Sequence, residues 1–298
     1  MLSALIRRNT KLFFKDKGMF FTSLITPLIL ILLFVTFLGN VYRDSFRSCI
    51  PAGIEVPDTL VEGFVGGWLF SSLLAVCCVT VAFCSNMLMV QDKVTGARRD
   101  ITIAPVKRSA LALGYYISTA LATLIICGIA LAACFVYLSS AGWYLSTADI
   151  LFTILDVFLL VMFGTALSSV INFFLSSQGQ ISAIGTLVSS CYGFVCGAYM
   201  PISQFSSGIQ KFILFLPGTY GTALLHHHLM RGVLEELENG YLPAEAVDFI
   251  RTSFDSNLYF FEHKVETGTM YLILAISVAV LIGVYVLLNV LKGKKAKP

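Results

Sequence analysis

Long apolar runs without charged residues constrain the fold of this chain more than any other feature. A helix needs about 20 apolar residues to cross the hydrocarbon core of a bilayer, and a charge-free run of 18 or more predicts a span. Five runs meet this condition alone, and the uncharged stretch 176–210 supplies a sixth. Since backbone groups in lipid must bond within their own segment, each run predicts a helix. The predicted spans are about 19–41, 64–90, 109–139, 150–175, 181–200 and 268–291.

Composition and charge agree with an all-α membrane protein of six transmembrane helices. Only 12% of the 298 residues are charged, against about 25% in soluble domains. With the N-terminus inside, the cytoplasmic segments hold 14 of the 20 Lys and Arg residues and 3 acids, and the external segments hold 6 basic residues and 13 acids. Positive residues near span ends favour the cytoplasmic side. Both termini are therefore predicted to be cytoplasmic.

The segments between the spans have distinct compositions. Residues 2–17 have an apolar face and a basic face, which predicts an interfacial amphipathic helix; a solvated basic tail is the alternative. Residues 43–62 contain two prolines and a glycine, and we expect an irregular external loop. Residues 91–108 are a short charged cytoplasmic loop, in which we expect a short helix at 91–104.

Residues 202–230 are interrupted by Lys211 and Pro217. If they spanned the bilayer, the acidic segment after them would lie inside and the Lys-rich C-terminal segment outside, which inverts the charge rule. We therefore predict a re-entrant helical hairpin broken at Pro217–Gly218. Residues 231–267 are then a small external domain, helical around 244–254. The whole of 1–298 is treated as one transmembrane domain.

Few residues in the spans suggest site chemistry. Asp156 is the one acid inside a predicted span, and acids in membranes are functional candidates by default, although a capped or protonated carboxyl can be purely structural. Three consecutive histidines, 226–228, point about 100° apart on a helix, so they predict no metal site. Seven of the eight cysteines fall in spans without metal-ligand spacing, and we interpret them as packing residues.

The sequence contains no G-x-x-x-x-G-K-[ST] phosphate loop, so ATP hydrolysis of the usual kind is not expected in this chain. An intramembrane enzyme would need a partner for Asp156 at the same depth, and the predicted spans offer none. An ion-coupled secondary transporter would need several charged residues inside spans and commonly shows internal repeats. It remains the alternative function.

Several features occur in a characteristic order. The amphipathic segment 2–17 precedes a proline early in the first span, a charged loop follows the second span, and a glycine and two prolines surround the end of the fifth. The residues are Pro27, Asp92, Gly96, Pro105, Gly197, Pro201, Leu216, Pro217 and Tyr220. In this order the chain resembles the permeases of the type-2 ABC exporter family over essentially its whole length. One departure is Asp92, where many relatives carry Glu.

The resemblance implies an exporter subunit without catalytic activity, metal or cofactor of its own. Two cytoplasmic ABC ATPase subunits would bind ATP and Mg, and a second permease copy or a paralogue would complete a dimer in contact with membrane lipids, with no nucleic acid. The ATPase-coupling loop would comprise Asp92, Lys93, Gly96, Arg98, Arg99, Asp100 and Pro105. A basic loop that contacts only headgroups is the other interpretation.

The resemblance also places the first, second and fifth spans along the substrate path. Phe194, Tyr199 and Met200 are then candidate wall or gate residues, with Asp156 as a further candidate for the path. Plain helix packing would explain the first three equally well. The substrate class is an amphipathic drug, peptide, lipid or glycan moved outward. We expect a multi-pass protein of a bacterial cell membrane.

Cysteine labelling tests the predicted orientation. Because residues 91–108 are expected inside and 231–267 outside, Thr95→Cys should react with a membrane-impermeant maleimide only in inside-out vesicles, and Glu245→Cys only in intact cells. The unsubstituted chain measures the background from its own cysteines. Labelling of Thr95→Cys in intact cells would contradict the topology.

Overall fold

The computed structural model describes residues 2–103, 106–261 and 263–294, with the side chains of 292–294 left out. The chain is 84% helical. The α-helices are α1 Leu2–Lys15, α2 Lys17–Leu33, α3 Gly39–Ser48, α4 Asp58–Val94, α5 Ala97–Ile103, α6 Arg108–Ala141, α7 Thr147–Phe174, α8 Gln178–Val195, α9 Ser207–Leu214, α10 Pro217–Gly240, α11 Ala244–Ser253 and α12 Thr267–Lys294. A π-helical turn, Phe34–Leu38, joins α2 to α3, and a 3₁₀ turn, Ile202–Gln204, precedes α9.

Five helices in the described chain are long and apolar enough to cross a membrane, which confirms the all-α membrane class. They are Lys17–Ser48, Asp58–Val94, Arg108–Ala141, Thr147–Phe174 and Thr267–Leu291. In the first and last of these helices, only 11% of the residues in the most apolar stretch are buried within the protein. Such wide apolar surfaces are not tolerated in water. The remaining predicted span, 181–200, which is fifth in chain order, corresponds to α8, which has 18 residues.

Helix α4 is the centre of the bundle. In its most apolar stretch 94% of the residues are buried, and α2, α6, α7, α8 and α10 all pack against it. Two glycines permit the closest approaches. A Cβ on Gly164 of α7 would lie 2.8 Å from the carbonyl oxygen of Cys78, and one on Gly67 would lie 2.8 Å from that of Leu229 in α10. Larger residues at either position would force the backbones apart.

Local signals set several helix ends. Asp16 caps α2, since its side chain accepts a hydrogen bond from the backbone nitrogen of Met19 at 3.1 Å. Helix α7 begins with a reciprocal capping box between Ser146 and Asp149, and α8 with one between Ser177 and Gln180. Such boxes satisfy amides that a helix start leaves unbonded.

The expected irregular loop at 43–62 is mostly helical, and the prediction was wrong there. Helix α3 continues to Ser48 and α4 begins at Asp58, so only residues 49–57 are irregular. Residues 43–50 contain neither proline nor glycine, so the helix is not interrupted before Pro51. Arg43 pairs with Glu62 at 2.5 Å, which holds α3 against the start of α4.

The end of the predicted span 181–200 also differs. Helix α8 ends at Val195, and the amides of Ala198 and Tyr199 turn back to the carbonyl oxygen of Gly193 at 2.8 and 3.0 Å. Gly197 makes this turn with a φ of +76°, a conformation that costs glycine little.

The predicted boundary at residue 230, between the re-entrant segment and the external domain, falls inside a continuous helix. Helix α9 ends at Leu214, and α10 begins at Pro217, where a proline at the first helical position costs nothing. Helix α10 then continues to Gly240. It is followed by α11 and by a short antiparallel pair of strands, β1 Tyr259–Phe260 and β2 His263–Lys264.

Asp255 connects this outer part to the turn after α8. Its side chain is buried and accepts a hydrogen bond from the backbone nitrogen of Ile202 at 2.7 Å, and its own φ is +57°. Burial raises the pKa of Asp255 to about 7, although the bond from Ile202 lowers it. A carboxyl in this setting is more stable protonated.

Asp255→Asn should flatten the pH dependence of stability. Because the folded pKa lies above the unfolded value near 4, stability is greatest at low pH and is lost as the pH rises from about 4 through about 7, by up to about 4 kcal/mol. The wild-type thermal midpoint in detergent should therefore fall between pH 5 and pH 8. Asparagine tolerates a positive φ, so the substitution should remove much of this fall. The exposed Glu245→Gln is the control, and an equal fall in both variants would contradict the assignment.

Candidate functional site

The predicted coupling loop folds as a continuation of α4, a turn and a short helix. Helix α4 extends to Val94, so the single helix expected at 91–104 is wrong: residues 91–94 belong to α4 and only Ala97–Ile103 form α5. Gly96 makes the turn with a φ of +86°, which allows the chain to reverse within two residues. Pro105 lies outside the described residues.

Asp92 faces the interior of the bundle rather than the surface. It is 4% exposed, and its carboxylate accepts two hydrogen bonds from Arg8 of α1 at 2.7 and 3.0 Å. The hydroxyl of Tyr115 in α6 donates a third at 2.6 Å. The bond to Asp92 raises the pKa of Arg8 above its ordinary value. A bidentate pair of this kind fixes geometry as well as charge, so Asp92 joins α1, α4 and α6.

Lys93 and Arg98 make further connections at the same end of the bundle. The Lys93 ammonium donates to the carbonyl oxygens of Asn172, Phe173 and Leu175 at 2.9, 2.9 and 3.1 Å. Asn172 and Phe173 belong to the last turn of α7 and Leu175 is its C-cap, so a cation there suits the helix dipole. Arg98 of α5 donates to the side-chain oxygen of Asn289 in α12 at 3.2 Å.

The remaining face of α5 is exposed. Arg99, Asp100 and Thr102 are accessible, and Ile103 is 82% exposed. The predicted coupling residues therefore fall into two groups, with Asp92 and Lys93 bonded inward and Arg99 and Asp100 facing outward.

A groove runs between α2, α4 and α8. One half, of about 510 Å³, lies near α5 and is lined by residues including Thr22, Gln91 and Ser182. The other half, of about 520 Å³, is lined by residues including Phe194 and Tyr199, whose rings meet edge to face at 4.9 Å. Met200 is half-buried and lies outside the lining of either half.

Asp156 lies away from the groove, where α7, α10 and α12 meet. It is fully buried, and its oxygens are 2.6 Å from Nδ1 of His228 and 2.5 Å from the hydroxyl of Tyr271. The expectation that the spans offer Asp156 no partner was wrong, since Tyr271 comes from α12 and His228 from α10. With both oxygens occupied, the carboxyl serves to hold three helices together.

The three consecutive histidines point toward different elements, as the helical angle requires. Nε2 of His226 lies 3.1 Å from the hydroxyl of Ser72 in α4, while His228 contacts Asp156 of α7. No group of three or more metal-ligating side chains occurs among the residues that were described.

Sequence reasoning missed three residues of this region. Arg8 and Tyr115 are far from Asp92 in sequence, and nothing local indicates that they would meet it. Ile103 had a usable signal, because it is an apolar residue in a segment too short and too charged to bury it.

The family comparison agrees with this arrangement. The model of the ABC-2 type transporter membrane domain matches residues 1–229, from α1 into α10. The chain belongs to the ABC-2 type transporter family. No curated protein matches the sequence. As an ABC-2 permease the chain is a membrane transport domain, and the family in general pairs with ABC ATPase subunits.

A double-mutant cycle on Arg8 and Asp92 tests whether this permease is tied together at the α5 end. Arg8→Ala leaves a buried carboxylate with Tyr115 alone, and should destabilise the chain by on the order of 2 kcal/mol, measured by denaturant unfolding in detergent. The double variant Arg8→Ala, Asp92→Asn should cost less than the sum of the single changes. Arg7→Ala, on the exposed side of α1, is the matched control. Additive effects would show that the pair contributes nothing to stability.

Proposed function

We propose that the chain is the permease subunit of an ATP-driven exporter and that α5 docks into a groove on a cytoplasmic ABC ATPase subunit. The observation that carries the proposal is the exposed face of α5, with Arg99, Asp100 and Ile103, on a helix held at its N-terminal end by the turn at Gly96 and by Arg98. Two permease chains, identical or paralogous, would bind two ATPase subunits, which hold ATP and Mg. Arg99 and Asp100 supply charge complementarity, and Ile103 supplies the apolar contact.

The connections of α5 suit it to transmit a displacement to the other helices. Gly96 joins it to α4, Arg98 joins it to α12, and Asp92 and Lys93 join the end of α4 to α1, α6 and α7. Movement of α5 by an ATPase subunit would therefore be transmitted to most of the bundle as a rigid-body displacement. Alternating access would follow from this displacement at the dimer interface, where α2 and α8 are only partly covered.

The six-span topology is part of the proposal. Helix α8 is the fifth span in chain order and α12 the sixth, with α9 and α10 as the re-entrant pair. Its support is the depth of α10, which starts beside Phe163 in the middle of α7 and passes Tyr144, in the loop before α7, at Gly232. The basic residues of α1, α5 and the C-terminal segment then lie on the cytoplasmic side of the cell membrane, as expected for a bacterial exporter.

The ion-coupled alternative is less well supported. Such a transporter needs ionisable groups that face a cavity at membrane depth. Asp156, the acid within α7, is enclosed and has both oxygens engaged. These contacts favour a structural role for Asp156, in which it connects three helices, over a role as an ion-binding site.

Co-purification tests the docking role of α5. The full chain with an affinity tag, isolated from its native host, should retain an ATPase subunit identifiable by mass spectrometry. Ile103→Asp, and separately Arg99→Glu with Asp100→Lys, should reduce the retained ATPase at least about tenfold, because an anchor residue buried in an interface contributes 2 kcal/mol or more. Lys11→Glu, exposed on α1, is the control for added negative charge. Unchanged retention in the α5 variants would remove the assignment.

A further inference from the structure

The groove between α2, α4 and α8 is continuous. Its two halves share Ile25, Thr26, Ser189 and Ser190, so a single elongated molecule could occupy both. Together they run along α2 from the N-cap residue Asp16 to Leu38 at the end of the π-helical turn. This is the length of a membrane-spanning segment, and the two halves differ in chemistry.

The half near α5 combines apolar residues such as Met87 and Ile181 with most of the hydroxyl and amide side chains of the groove. These polar residues are Thr22, Thr26, Gln91, Gln178, Ser182, Thr186, Ser189 and Ser190. Helix-helix packing alone would place such groups against a partner. Instead, the hydroxyls of Thr22, Thr26 and Ser190 donate no hydrogen bond to any residue of the described chain, whereas Ser23 and Thr80, which are buried in α2 and α4, bond to carbonyls of their own helices at 2.7 and 2.9 Å.

The charge of the lining is as informative as its polarity. Among the described residues, neither half is lined by a lysine, arginine or histidine, and the one carboxylate in the lining is that of Asp16, at the end of the groove, where it caps α2. A charged headgroup in this groove would lose water without gaining a counter-charge, which is costly. The chain has a cationic surface at Arg7, Arg8 and Lys11, but it lies on α1.

The other half is more apolar. Beyond the shared Thr26, Ser189 and Ser190, it is lined by Ile29, Leu30, Leu33, Leu38 and Phe194, and the hydroxyl of Tyr199 donates to the carbonyl oxygen of Ser189 at 3.3 Å. An alkyl chain would be desolvated there at a gain of about 0.8 kcal/mol per methylene in general. The groove as a whole thus has a more polar end, in which Asp16 is the one charged side chain among the described residues, and a more apolar end.

We propose that the groove binds an amphiphile with an uncharged, hydroxyl-bearing headgroup and an alkyl tail, the headgroup on Thr22, Thr26 and Ser190 and the tail against Leu33 and Phe194. The proposal rests on the transport role proposed above and names its substrate class. Anionic amphiphiles of the same tail length are poorer ligands, since no cation among the described residues lines the groove. Cationic ones meet only Asp16, whose carboxylate already caps α2 beyond the headgroup residues.

Photolabelling of the full chain in phosphatidylcholine nanodiscs, without any ATPase, tests this class. The probe is a dodecyl maltoside with a diazirine in its alkyl chain, and the sites of labelling are read by mass spectrometry. Adducts are expected on α2 and α8. Unlabelled dodecyl maltoside at low micromolar concentration should compete, while dodecyl phosphate and dodecylamine should not. Equal competition by all three, or adducts confined to other helices, would overturn the proposal.

Variants of the hydroxyl group sharpen the test. Thr22→Val, Thr26→Val and Ser190→Ala together should lower labelling by about tenfold, because three hydrogen bonds are lost. Thr36→Val is the matched control: it is exposed on the same span, but its hydroxyl is bonded to Leu32 at 2.8 Å. Thr26→Lys adds a counter-charge and should make dodecyl phosphate the better competitor, an outcome that a merely destabilised protein would not give.

A second copy of the chain is the other possible occupant of the groove. Cross-links between α2 of one copy and α8 of another, with no adducts from the probe, would show that the groove is filled by protein and would overturn the proposal. Because no ATPase is present, failure here leaves the docking of α5 untouched. Loss of docking in the α5 variants would likewise leave the labelling result standing.

Discussion

Burial of α4 is the constraint on which the rest of the structure depends. A helix with 94% of its most apolar stretch enclosed needs neighbours on every side, and α2, α6, α7, α8 and α10 provide them. Its charged residues are confined to the two ends. At the α5 end the acid Asp92 is still inside the protein, so it needs a cation and a donor, and Arg8 and Tyr115 supply them. The requirement to neutralise one buried carboxylate thereby fixes α1 on the bundle.

Much of the fold could be predicted from the sequence, because length and charge-free composition decide membrane helices with little help from tertiary contacts. The helix ends were harder. Residues 43–48 look like loop by their charge, yet Arg43 is neutralised by Glu62 across the turn. The apolar character of α8 is reduced by serine, threonine and glutamine residues, several of which line the groove. The partner of Asp156 could not be found locally, since His228 is 72 residues away.

The candidate site shows a similar division. A charged loop between two spans indicates a contact with another protein, but composition does not tell which charges are free. Asp92 and Lys93 follow the last apolar turn of α4 without a helix break, so they keep its rotation and face neighbouring helices. Exposure begins at the last residue of α4, Val94, and continues past the turn at Gly96 to Arg99 and Asp100. Residues on the far side of the turn, Arg99, Asp100 and Ile103, are therefore better candidates for docking than residues before it, and helical continuity is the criterion that separates them.

The distribution of burial indicates which helices move. Helices α4, α7, α10 and α12 are joined in their interior by Asp156, His228 and Tyr271 and by the close approach at Gly164. In contrast, α8 buries only Ile181 and Gly193 among its described residues, and α2 buries only Met19, Ser23 and Pro27. Elements with few buried contacts open at lower free energy than the core they surround. Since α2 is connected to the α5 end through α1 and Arg8, the displacement of α5 proposed above would reach a loosely packed wall of the groove, while the wall formed by α4 would stay with the rigid frame. The groove would then change width without any rearrangement of the core.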